Sequence, residues 1–363
     1  MQRSRVRKKT KPGKHEMTSP TISVLMPVYN GLPYLPAAVD SILKQSYSNY
    51  EFLIFDDGSQ DGSQQYLSSI DDPRVKLTVL EHQGLGPLLN FGLQKAQGEF
   101  IARMDADDIA HPRRFERQIQ TMANHPECVA CGSNIQLMDS ESQLGDIRQM
   151  PASNIKIFQD LIFGKTSICH PTSMFRKKSA HEIGGYNASL VPAEDYDFWW
   201  RMSAKGSLLN IQSPLLNYRQ HPSSVSSTQT DTQRTLVQAL LAKAMVNEKL
   251  ALSRENAEAF ASVVLAKAVP TDIYEEQFKG FMKVARRLLA RMVNDNEHQM
   301  AHDTHQRFRG RIMKLEEAIG FKDSENWRRY LRYCNIRPTN QSLISFALGH
   351  AYYRYRFPQQ SSA

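Results

Sequence analysis

The fold is most constrained by a regular alternation of short apolar runs and amphipathic segments over the first hundred residues. The run ISVLMPV at residues 22–28 is almost entirely apolar, which is typical of a strand buried on both faces of a parallel sheet. Further strands are predicted at residues 51–55, 75–80 and 99–104, and helices at residues 35–43, 61–70 and 85–97. Strands and helices that alternate at this spacing predict a doubly wound α/β sheet.

Three of the predicted strands run into polar or acidic residues. They end at Pro27-Val28-Tyr29-Asn30, at Asp56-Asp57-Gly58-Ser59 and at Asp105-Ala106-Asp107-Asp108. In doubly wound sheets the ligand lies in the crevice beyond the carboxyl ends of the strands. We therefore expect five acidic side chains to converge at one edge of the sheet.

The segment Asp105-Ala106-Asp107-Asp108 is a candidate metal site. Paired carboxylates on a loop after a strand suit Mg²⁺ or Mn²⁺, which take oxygen ligands and leave positions open for substrate phosphates. Such a cation stabilises the charge that accumulates on a nucleoside diphosphate when its bond to a sugar breaks. The alternative is a solvated loop with a helix cap, because short acidic motifs have many false positives.

Two other acidic segments are candidates for ligand contacts. Asp56 and Asp57 are placed to accept hydrogen bonds from a nucleobase or a ribose, although Asp-Gly-Ser is also a common turn sequence. Glu194 and Asp195 begin an aromatic-rich predicted helix at residues 194–204, where the helix dipole alone favours carboxylates. The functional interpretation is that a carboxylate there acts as a general base on an acceptor hydroxyl.

Histidine and tryptophan residues give weaker signals. His170 and His221 each precede a proline, which indicates loops. A single histidine is more often a packed or capping residue than a ligand. Trp199 and Trp200 are more often core residues than platforms for a sugar.

The formal net charge of +8 is concentrated at the N-terminus. Residues 1–16 hold seven basic residues against Glu16, a net of +6, so the rest of the chain carries only +2. We interpret residues 1–20 as a solvated, disordered tail, with contact to anionic lipid as the alternative. Because the body is nearly neutral, we expect no nucleic-acid partner.

The apolar segments and the cysteines indicate the cellular compartment of the protein. No apolar run reaches the ~18 residues that a membrane-spanning helix needs, and the first residues lack the apolar stretch of a secretion signal. The sequence therefore predicts a cytoplasmic protein. The pair Cys128 and Cys131 lies in the apolar run CVACGSNIQLM, which favours a core strand over a zinc or redox site.

A change of pattern near residues 222–232 indicates a domain boundary. The polar stretch SSVSSTQTDTQ leads into helical patterns with no glycine or proline before Pro270. We predict an α/β domain at residues 21–228 and an all-α region at residues 229–363. Within this region, SLISFALGHAYYRYRF fits either a membrane-surface helix or a helix packed on the α/β domain.

Six segments together resemble family 2 of the glycosyltransferases, the large inverting family with the nucleotide-sugar-binding fold called GT-A. In chain order they are SVLMPVYNG, DDGSQDGS, GEFIARMDADD, HPTSMFRK, GGYNASLVPAEDYDFWWR and YRQHPSS, between about residues 21 and 225. One such segment is a weak signal, whereas six in this order and spacing are a strong one. The resemblance implies a GT-A-type doubly wound mixed sheet with a C-terminal all-α extension.

The resemblance also implies roles for individual residues. Asp195 is the expected catalytic base, with Glu194 beside it. Asp107 is the expected main ligand of a Mn²⁺ or Mg²⁺ ion, and in some relatives a histidine at the place of His221 completes the metal site. Asp57 is expected to contact the nucleobase. The full set expected to bind the nucleotide sugar is Pro27, Tyr29, Asn30, Asp56, Asp57, Arg103, Asp105 (on the ribose or phosphate side) and His170.

One departure from the family concerns the charge of the diphosphate. Many relatives have Arg-Asn in the helix before the Asp-x-Asp strand, where this chain has Leu89-Asn90. Neutralisation then relies on the metal or on another cation, for which Arg103, Arg113 and Arg114 are candidates.

The implied activity is a metal-dependent, inverting transfer of a sugar from a nucleoside-diphosphate donor to an acceptor hydroxyl, in cell-surface polysaccharide or glycolipid synthesis. Polysaccharide and lipid-linked acceptors are common in the family, so peripheral attachment at the inner face of the membrane is an expectation. A rival interpretation is a nucleotidyltransferase, which would be expected to carry a glycine-rich phosphate loop with a lysine after the first strand. The segment VYNGLPYL contains no lysine. A binding or scaffold protein with an inactive front domain is the second rival, which the intact acidic positions disfavour.

Overall fold

The computed structural model describes residues 19–222, 230–251 and 253–265, together with residues 283–285, 287, 288, 304 and 307. The strands are β1 Ile22–Val28, β2 Tyr50–Asp56, β3 Val75–Val79, β4 Phe100–Arg103, β5 Ile109–Ala110, β6 Cys128–Met138, β7 Leu144–Arg148, β8 Met174–Arg176 and β9 Ser207–Arg219. The helices are α1 Leu35–Leu43, α2 Ser63–Ser68, α3 Leu85–Lys95, α4 Arg114–Asn124, α5 Asn154–Ile162, α6 Lys177–Glu182, α7 Glu194–Ser203, α8 Thr230–Asn247 and α9 Arg254–Leu265.

The strands form one mixed sheet in the order β3-β2-β1-β4-β8-β6-β9-β5, and β7 pairs with β6 outside this path. Strands β3, β2, β1 and β4 are parallel to one another, as the alternating pattern predicts. Strand β8 runs antiparallel to both β4 and β6, and β9 runs parallel to β6. The predicted doubly wound mixed sheet is confirmed.

The central strands are apolar on both faces because helices cover both sides of the sheet. In β2, Phe52 and Ile54 enter the core shared with α1, whereas Leu53 and Phe55 enter the core shared with α3. Successive side chains of a strand point to opposite faces, so this arrangement requires a continuous apolar run. The prediction of strands buried on both faces is confirmed.

Gly92 lets α3 lie close to the sheet. A Cβ atom at this position would come within 2.9 Å of the Phe55 ring and 3.0 Å of a Leu25 methyl group. Real Cβ atoms do not approach neighbours so closely in close-packed interiors. This contact helps to fix α3, whose N-terminus adjoins the edge that carries the acidic loops.

Two helices begin later than the sequence predicts. Gly62 takes a left-handed conformation with φ +95°, so α2 begins after it. The preference of proline for the first turn of a helix predicts that the next helix starts at Pro112. Helix α4 instead begins at Arg114, and the N–H of Arg114 closes a turn on the carbonyl oxygen of His111. Such turn chemistry shifts helix ends by one or two residues.

Helices α8 and α9 are separate, although the sequence pattern shows no interruption between them. Lys249 adopts φ +57°, and the N–H groups of Leu250 and Ala251 both donate to the carbonyl oxygen of Met245. A left-handed residue after a helix usually is glycine, so this stop has no glycine signal in the sequence.

The helical residues after the sheet pack against α5 and α7. Phe260 and other apolar residues of α8 and α9 share a core with Ile162 and Phe163, and Trp200 borders it. Arg307 Nη2 lies 2.7 Å from the Asp160 Oδ1 atom. The described part of this region therefore contacts the α/β fold directly.

Two predictions concern segments outside the described residues. Residues 1–18 of the basic tail and the segment SLISFALGHAYYRYRF belong to these segments, so their interpretations stay predictions. The domain boundary near residues 222–232 also stays a prediction. Within the part of the chain that the structure describes, no helix is long and apolar enough to cross a membrane.

Candidate active site

The loops that follow β1 and β2 are joined by side-chain hydrogen bonds. The backbone N–H of Asn30 donates to Ser59 Oγ at 2.9 Å, and that of Leu32 donates to Asp61 Oδ2 at 2.9 Å. Asn30 itself is exposed, with φ +51°, and its Oδ1 atom accepts from the N–H of Gln60 at 2.8 Å. The DDGSQDGS segment thus shapes the loop after β1 by turn chemistry.

Asp57 is enclosed by the loop after β3. Its side chain is 2% exposed, its Oδ1 atom accepts from the N–H of Gln83 at 2.8 Å, and its Oδ2 atom accepts from the N–H of Gly84 at 2.9 Å. His82 Nδ1 also lies 2.9 Å from Asp57 Oδ2. Asp56 is fully buried, and among the described residues neither of its carboxylate oxygens has a hydrogen-bond partner.

Tyr29 presents an aromatic surface at the same edge. Its side chain follows β1 and is 51% exposed, and its ring centroid lies 4.2 Å from that of His82. Pro27, also predicted to line the nucleotide pocket, is partly buried near the end of β1. His82 therefore contacts both Tyr29 and Asp57.

Three carboxylates after β4 form a tight cluster. One oxygen each from Asp105, Asp107 and Asp108 lie within 4.8 Å of one another. Burial, followed by the charges of Asp105 and Asp107, raises the pKa of Asp108 well above its usual range. Asp108 Oδ2 is buried and has no partner in the described part of the chain. A divalent cation would reverse this repulsion, and the all-oxygen donor set fits Mg²⁺ or Mn²⁺.

His221 joins this cluster from a distant part of the sequence. Its Nε2 atom lies 2.9 Å from Asp107 Oδ2, and its ring lies 5.4 Å from the ring of Tyr34. Imidazole nitrogen and carboxylate oxygen are both ligands that Mn²⁺ accepts. The two residues predicted as metal ligands therefore lie together.

The acidic pair Glu194 and Asp195 occupies the first turn of α7. Burial, followed by the charge of Glu194, raises the pKa of Asp195 to about 7, while the charge of Arg103 opposes the shift. Burial also raises the pKa of Glu194, whose Oε2 atom is buried without a partner among the described residues. Strongly raised carboxyl pKa values are characteristic of functional sites.

Arg103 connects the acidic cluster to α7. Its guanidinium contacts the carboxylate of Asp105, and its charge lowers the pKa of both Glu194 and Asp195. The side chain is almost fully buried, and its Nε atom has no partner within the described residues. The carboxylates after β4 and those of α7 therefore lie within electrostatic range of one cation.

The guanidinium groups of the other two candidate cations bond to other partners. Arg113 forms an exposed ion pair with Glu116. Arg114 is fully buried and donates to the carbonyl oxygen of Arg103 at 2.7 Å. Leu89, which stands where many relatives have arginine, is buried in the core. Of the three arginines, Arg103 is the one that forms an ion pair with the acidic cluster, and the charge of Arg114 also lowers the pKa of Asp105.

His170 lies in the protein interior rather than on an open surface. Its Nε2 atom lies 2.9 Å from the hydroxyl of Tyr186, and burial together with Arg103 lowers its pKa well below the usual range. A neutral imidazole in this place supports the side chains around Arg103. Its predicted contact with the nucleotide sugar stays a prediction.

The core interpretations of tryptophan and cysteine are confirmed. Trp199 is fully buried, and Trp200 packs at the border of two apolar cores. Cys128 and Cys131 are buried in β6 as free thiols, and burial raises the pKa of Cys128 to about 11. Such thiols are inert toward metal binding.

The family model of glycosyl transferase family 2 matches residues 23–184. The O-antigen biosynthesis glycosyltransferase WbnJ of Escherichia coli is 31% identical over 218 residues, which cover 57% of this chain and 82% of that protein. An uncharacterized glycosyltransferase of Haemophilus influenzae is 30% identical over 227 residues, covering 59% of this chain and 70% of that protein. The chain belongs to glycosyltransferase family 2.

Solved structures show the same fold. Residues 1–349 of S. aureus TarS, crystallised in complex with UDP-GlcNAc, superpose with a TM-score of 0.51 at 17% identity, covering 80% of this chain and 92% of that one. The longer TarS chain gives 0.50 at 18% identity, and 49% of its length is covered. The predicted GT-A fold of this family 2 glycosyltransferase is confirmed.

Sequence reasoning missed one residue that organises the acidic cluster of this glycosyltransferase. The backbone N–H of Arg219 donates to Asp108 Oδ1 at 2.8 Å, and its side chain is buried against the Asp107 carbonyl group. Arg219 belongs to the YRQHPSS segment that carries the family resemblance. Its position two residues before His221, at the end of β9, is the signal that was available.

Proposed function

We propose that this glycosyltransferase moves a sugar from a nucleoside-diphosphate donor to an acceptor hydroxyl, with inversion at the anomeric carbon. The observation that carries the proposal is that one cation, Arg103, acts on both acidic groups, the cluster after β4 and the pair at the start of α7. This cation contacts Asp105 and also acts on Asp195, a carboxyl whose pKa of about 7 suits a base at neutral pH. The carboxylates proposed to hold the diphosphate through a cation and the proposed base are therefore both within electrostatic range of Arg103.

In the proposed reaction Asp195 removes the proton of the acceptor hydroxyl. The oxygen attacks the anomeric carbon as the bond to the diphosphate breaks, and the nucleoside diphosphate leaves. Glu194, buried beside Asp195, raises the pKa of Asp195 and so increases its basicity. Arg103 is placed to balance negative charge between the two acidic groups.

The same proposal includes a divalent cation. Asp105, Asp107 and Asp108 supply oxygen donors that fit Mn²⁺ or Mg²⁺, and His221 beside Asp107 adds an imidazole that fits Mn²⁺. When bound, the cation would stabilise the negative charge of the leaving diphosphate. The buried Asp108 Oδ2 atom, which lacks a partner among the residues that the structure describes, supports a cation at this position.

The relatives support a class of donor and acceptor. WbnJ is named for O-antigen biosynthesis, and TarS was crystallised with UDP-GlcNAc. We infer a nucleotide sugar as donor and a glycan or lipid-linked acceptor in polysaccharide or glycolipid synthesis. A cytoplasmic location, peripheral at the inner face of the membrane, stays a prediction from the sequence.

A donor screen tests the proposal. The full chain is incubated with UDP-, GDP-, CDP- and dTDP-sugars, with and without Mn²⁺, and released nucleoside diphosphate is measured. We expect release from one donor class, dependent on Mn²⁺ and lost in Asp195→Asn when an acceptor is present. The anomeric configuration of the product, read by NMR, tests inversion. No release above background from any donor would contradict the proposal.

A further inference from the structure

The nucleobase contact predicted for Asp57 is enclosed in the structure. Both carboxylate oxygens already accept backbone N–H groups, and the side chain is 2% exposed. His82 lies directly on Asp57 Oδ2, and its side chain is 58% exposed. The side chain that is exposed to solvent at this place is therefore the imidazole of His82 and not the carboxylate of Asp57.

The partners of His82 fix its tautomer. Nδ1 faces two acceptors, the Asp57 Oδ2 atom at 2.9 Å and the Asp57 carbonyl oxygen at 3.3 Å. Both oxygens can only accept hydrogen bonds, so Nδ1 must be the donor and carries a proton. In the neutral form of the ring, Nε2 has an acceptor lone pair. Within the part of the chain that the structure describes, Nε2 has no hydrogen-bond partner.

His82 also lies where a nucleobase would reach. It follows the carboxyl end of β3, and its ring is 4.2 Å from that of Tyr29, which follows β1. Strands β1, β2 and β3 are parallel, so this aromatic pair is at the same sheet edge as the acidic loops. Exposed aromatic rings at a ligand edge are favourable surfaces for a base to stack on.

We propose that His82, oriented by Asp57, is the residue that reads the nucleobase, by accepting at Nε2 a hydrogen bond from a ring N–H of the base. The inference rests on the proposed function and narrows its donor. Uracil, thymine and guanine carry such a ring N–H, whereas cytosine and adenine have an acceptor nitrogen at that place. The donor is therefore a UDP-, dTDP- or GDP-sugar, and Asp57 is a positioning residue that acts through His82.

The test separates base recognition from diphosphate binding. Dissociation constants for UDP, GDP, CDP, ADP and inorganic pyrophosphate are measured by calorimetry in the presence of Mn²⁺, for the wild-type chain and for His82→Phe. Phenylalanine keeps an aromatic ring beside Tyr29 but has no acceptor. We expect the wild type to bind UDP or GDP about tenfold more tightly than CDP or ADP, and His82→Phe to lose this preference, because one hydrogen bond is worth about that factor. Pyrophosphate affinity is expected to be unchanged.

His125→Phe is the matched control. His125 also has a carboxylate partner at Nδ1, Glu127, but it precedes β6. Strands β4 and β6 are both antiparallel to β8, so they run in the same direction. The acidic loop follows the end of β4, and the start of β6 therefore lies at the opposite edge of the sheet. This variant is expected to bind all five ligands as the wild type does.

Three results would overturn the inference. They are a wild-type preference for CDP or ADP, a preference for UDP or GDP that persists in His82→Phe, and a parallel loss of pyrophosphate affinity in that variant. A wild-type chain that binds pyrophosphate with Mn²⁺ but no nucleoside diphosphate would instead contradict the proposed function itself.

Discussion

The guanidinium of Arg219 donates from Nε to the carbonyl oxygen of Asp107 at 2.8 Å. Its Nη1 atom donates to the carbonyl oxygen of Asp139 at 3.0 Å, and its Cζ atom lies 4.2 Å from the centre of the Tyr34 ring. The side chain is 2% exposed. One buried cation thus joins the acidic loop to the turn between β6 and β7 and to the segment before α1.

We expect Arg219→Met to weaken Mn²⁺ binding about 10- to 100-fold, the usual range for residues that orient metal ligands. The variant also removes the hydrogen bonds from the guanidinium to the carbonyl oxygens of Asp107 and Asp139, so its free energy of unfolding should fall by about 2–4 kcal/mol. Arg219→Lys keeps the charge but cannot reach the same acceptors together, so it should restore only part of the affinity. Electron paramagnetic resonance measures Mn²⁺ binding, and urea denaturation measures stability.

The control for this prediction is Arg113→Met. Arg113 pairs with Glu116 on an exposed surface, where solvent screens the attraction and such pairs contribute little to stability. It should leave both Mn²⁺ affinity and stability nearly unchanged. Wild-type Mn²⁺ affinity in a folded but destabilised Arg219→Met chain would show that Arg219 supports the fold without orienting the acidic loop.

Asp107→Ala tests the metal ligand directly. This change removes the carboxylate that contacts His221, and we expect it to abolish the Mn²⁺-dependent part of nucleoside diphosphate binding. Asp40→Ala, which removes an exposed partner of Lys44, should bind as the wild type does. A Mn²⁺ titration of Asp107→Ala that overlays the wild-type curve would refute the assignment.

The parallel half of the fold could be predicted because each strand is a continuous apolar run. The carboxyl ends of β1, β2 and β4 meet at one edge, so the acidic residues after them were expected together. The pairing of β8 with both β4 and β6 could not be read from the alternation. Those pairs join strands far apart in sequence, and no local pattern encodes their register.

The buried cations and the helix stop could not be predicted for a related reason. Arg219 bonds mainly to backbone carbonyl oxygens, and two of the hydrogen bonds of Arg114 also go to such oxygens. Every residue has a carbonyl oxygen, so no sequence motif reports these contacts. Lys249 ends α8 in a conformation that glycine would normally signal. His82 is identified as a candidate only because the structure encloses Asp57 behind it.

Asp195→Asn tests the catalytic base. Asparagine keeps the shape of the side chain but cannot take a proton, and general base catalysis is typically worth about 10²–10⁴-fold. We expect turnover to fall by that factor, while the dissociation constant of the donor stays near the wild-type value. Asp40→Asn is the control and should retain full turnover. Sugar transfer by Asp195→Asn at near wild-type rate would show that another group takes the proton.

The raised pKa of Asp195 predicts how turnover depends on pH. Burial and Glu194 shift this pKa upward to about 7, so the carboxyl is increasingly protonated below that pH. The base must be ionised to accept a proton, and kcat/KM should therefore fall about tenfold per pH unit below 7 and level off above it. The measurement determines kcat/KM for the donor at a fixed Mn²⁺ concentration between pH 5.5 and 8.5, because this ratio reports the pKa values of the unliganded enzyme, and donor affinity is measured at each pH to separate binding from catalysis. Because an ordinary carboxyl would be fully ionised across this range, a flat profile would show that Asp195 does not titrate as the catalytic base.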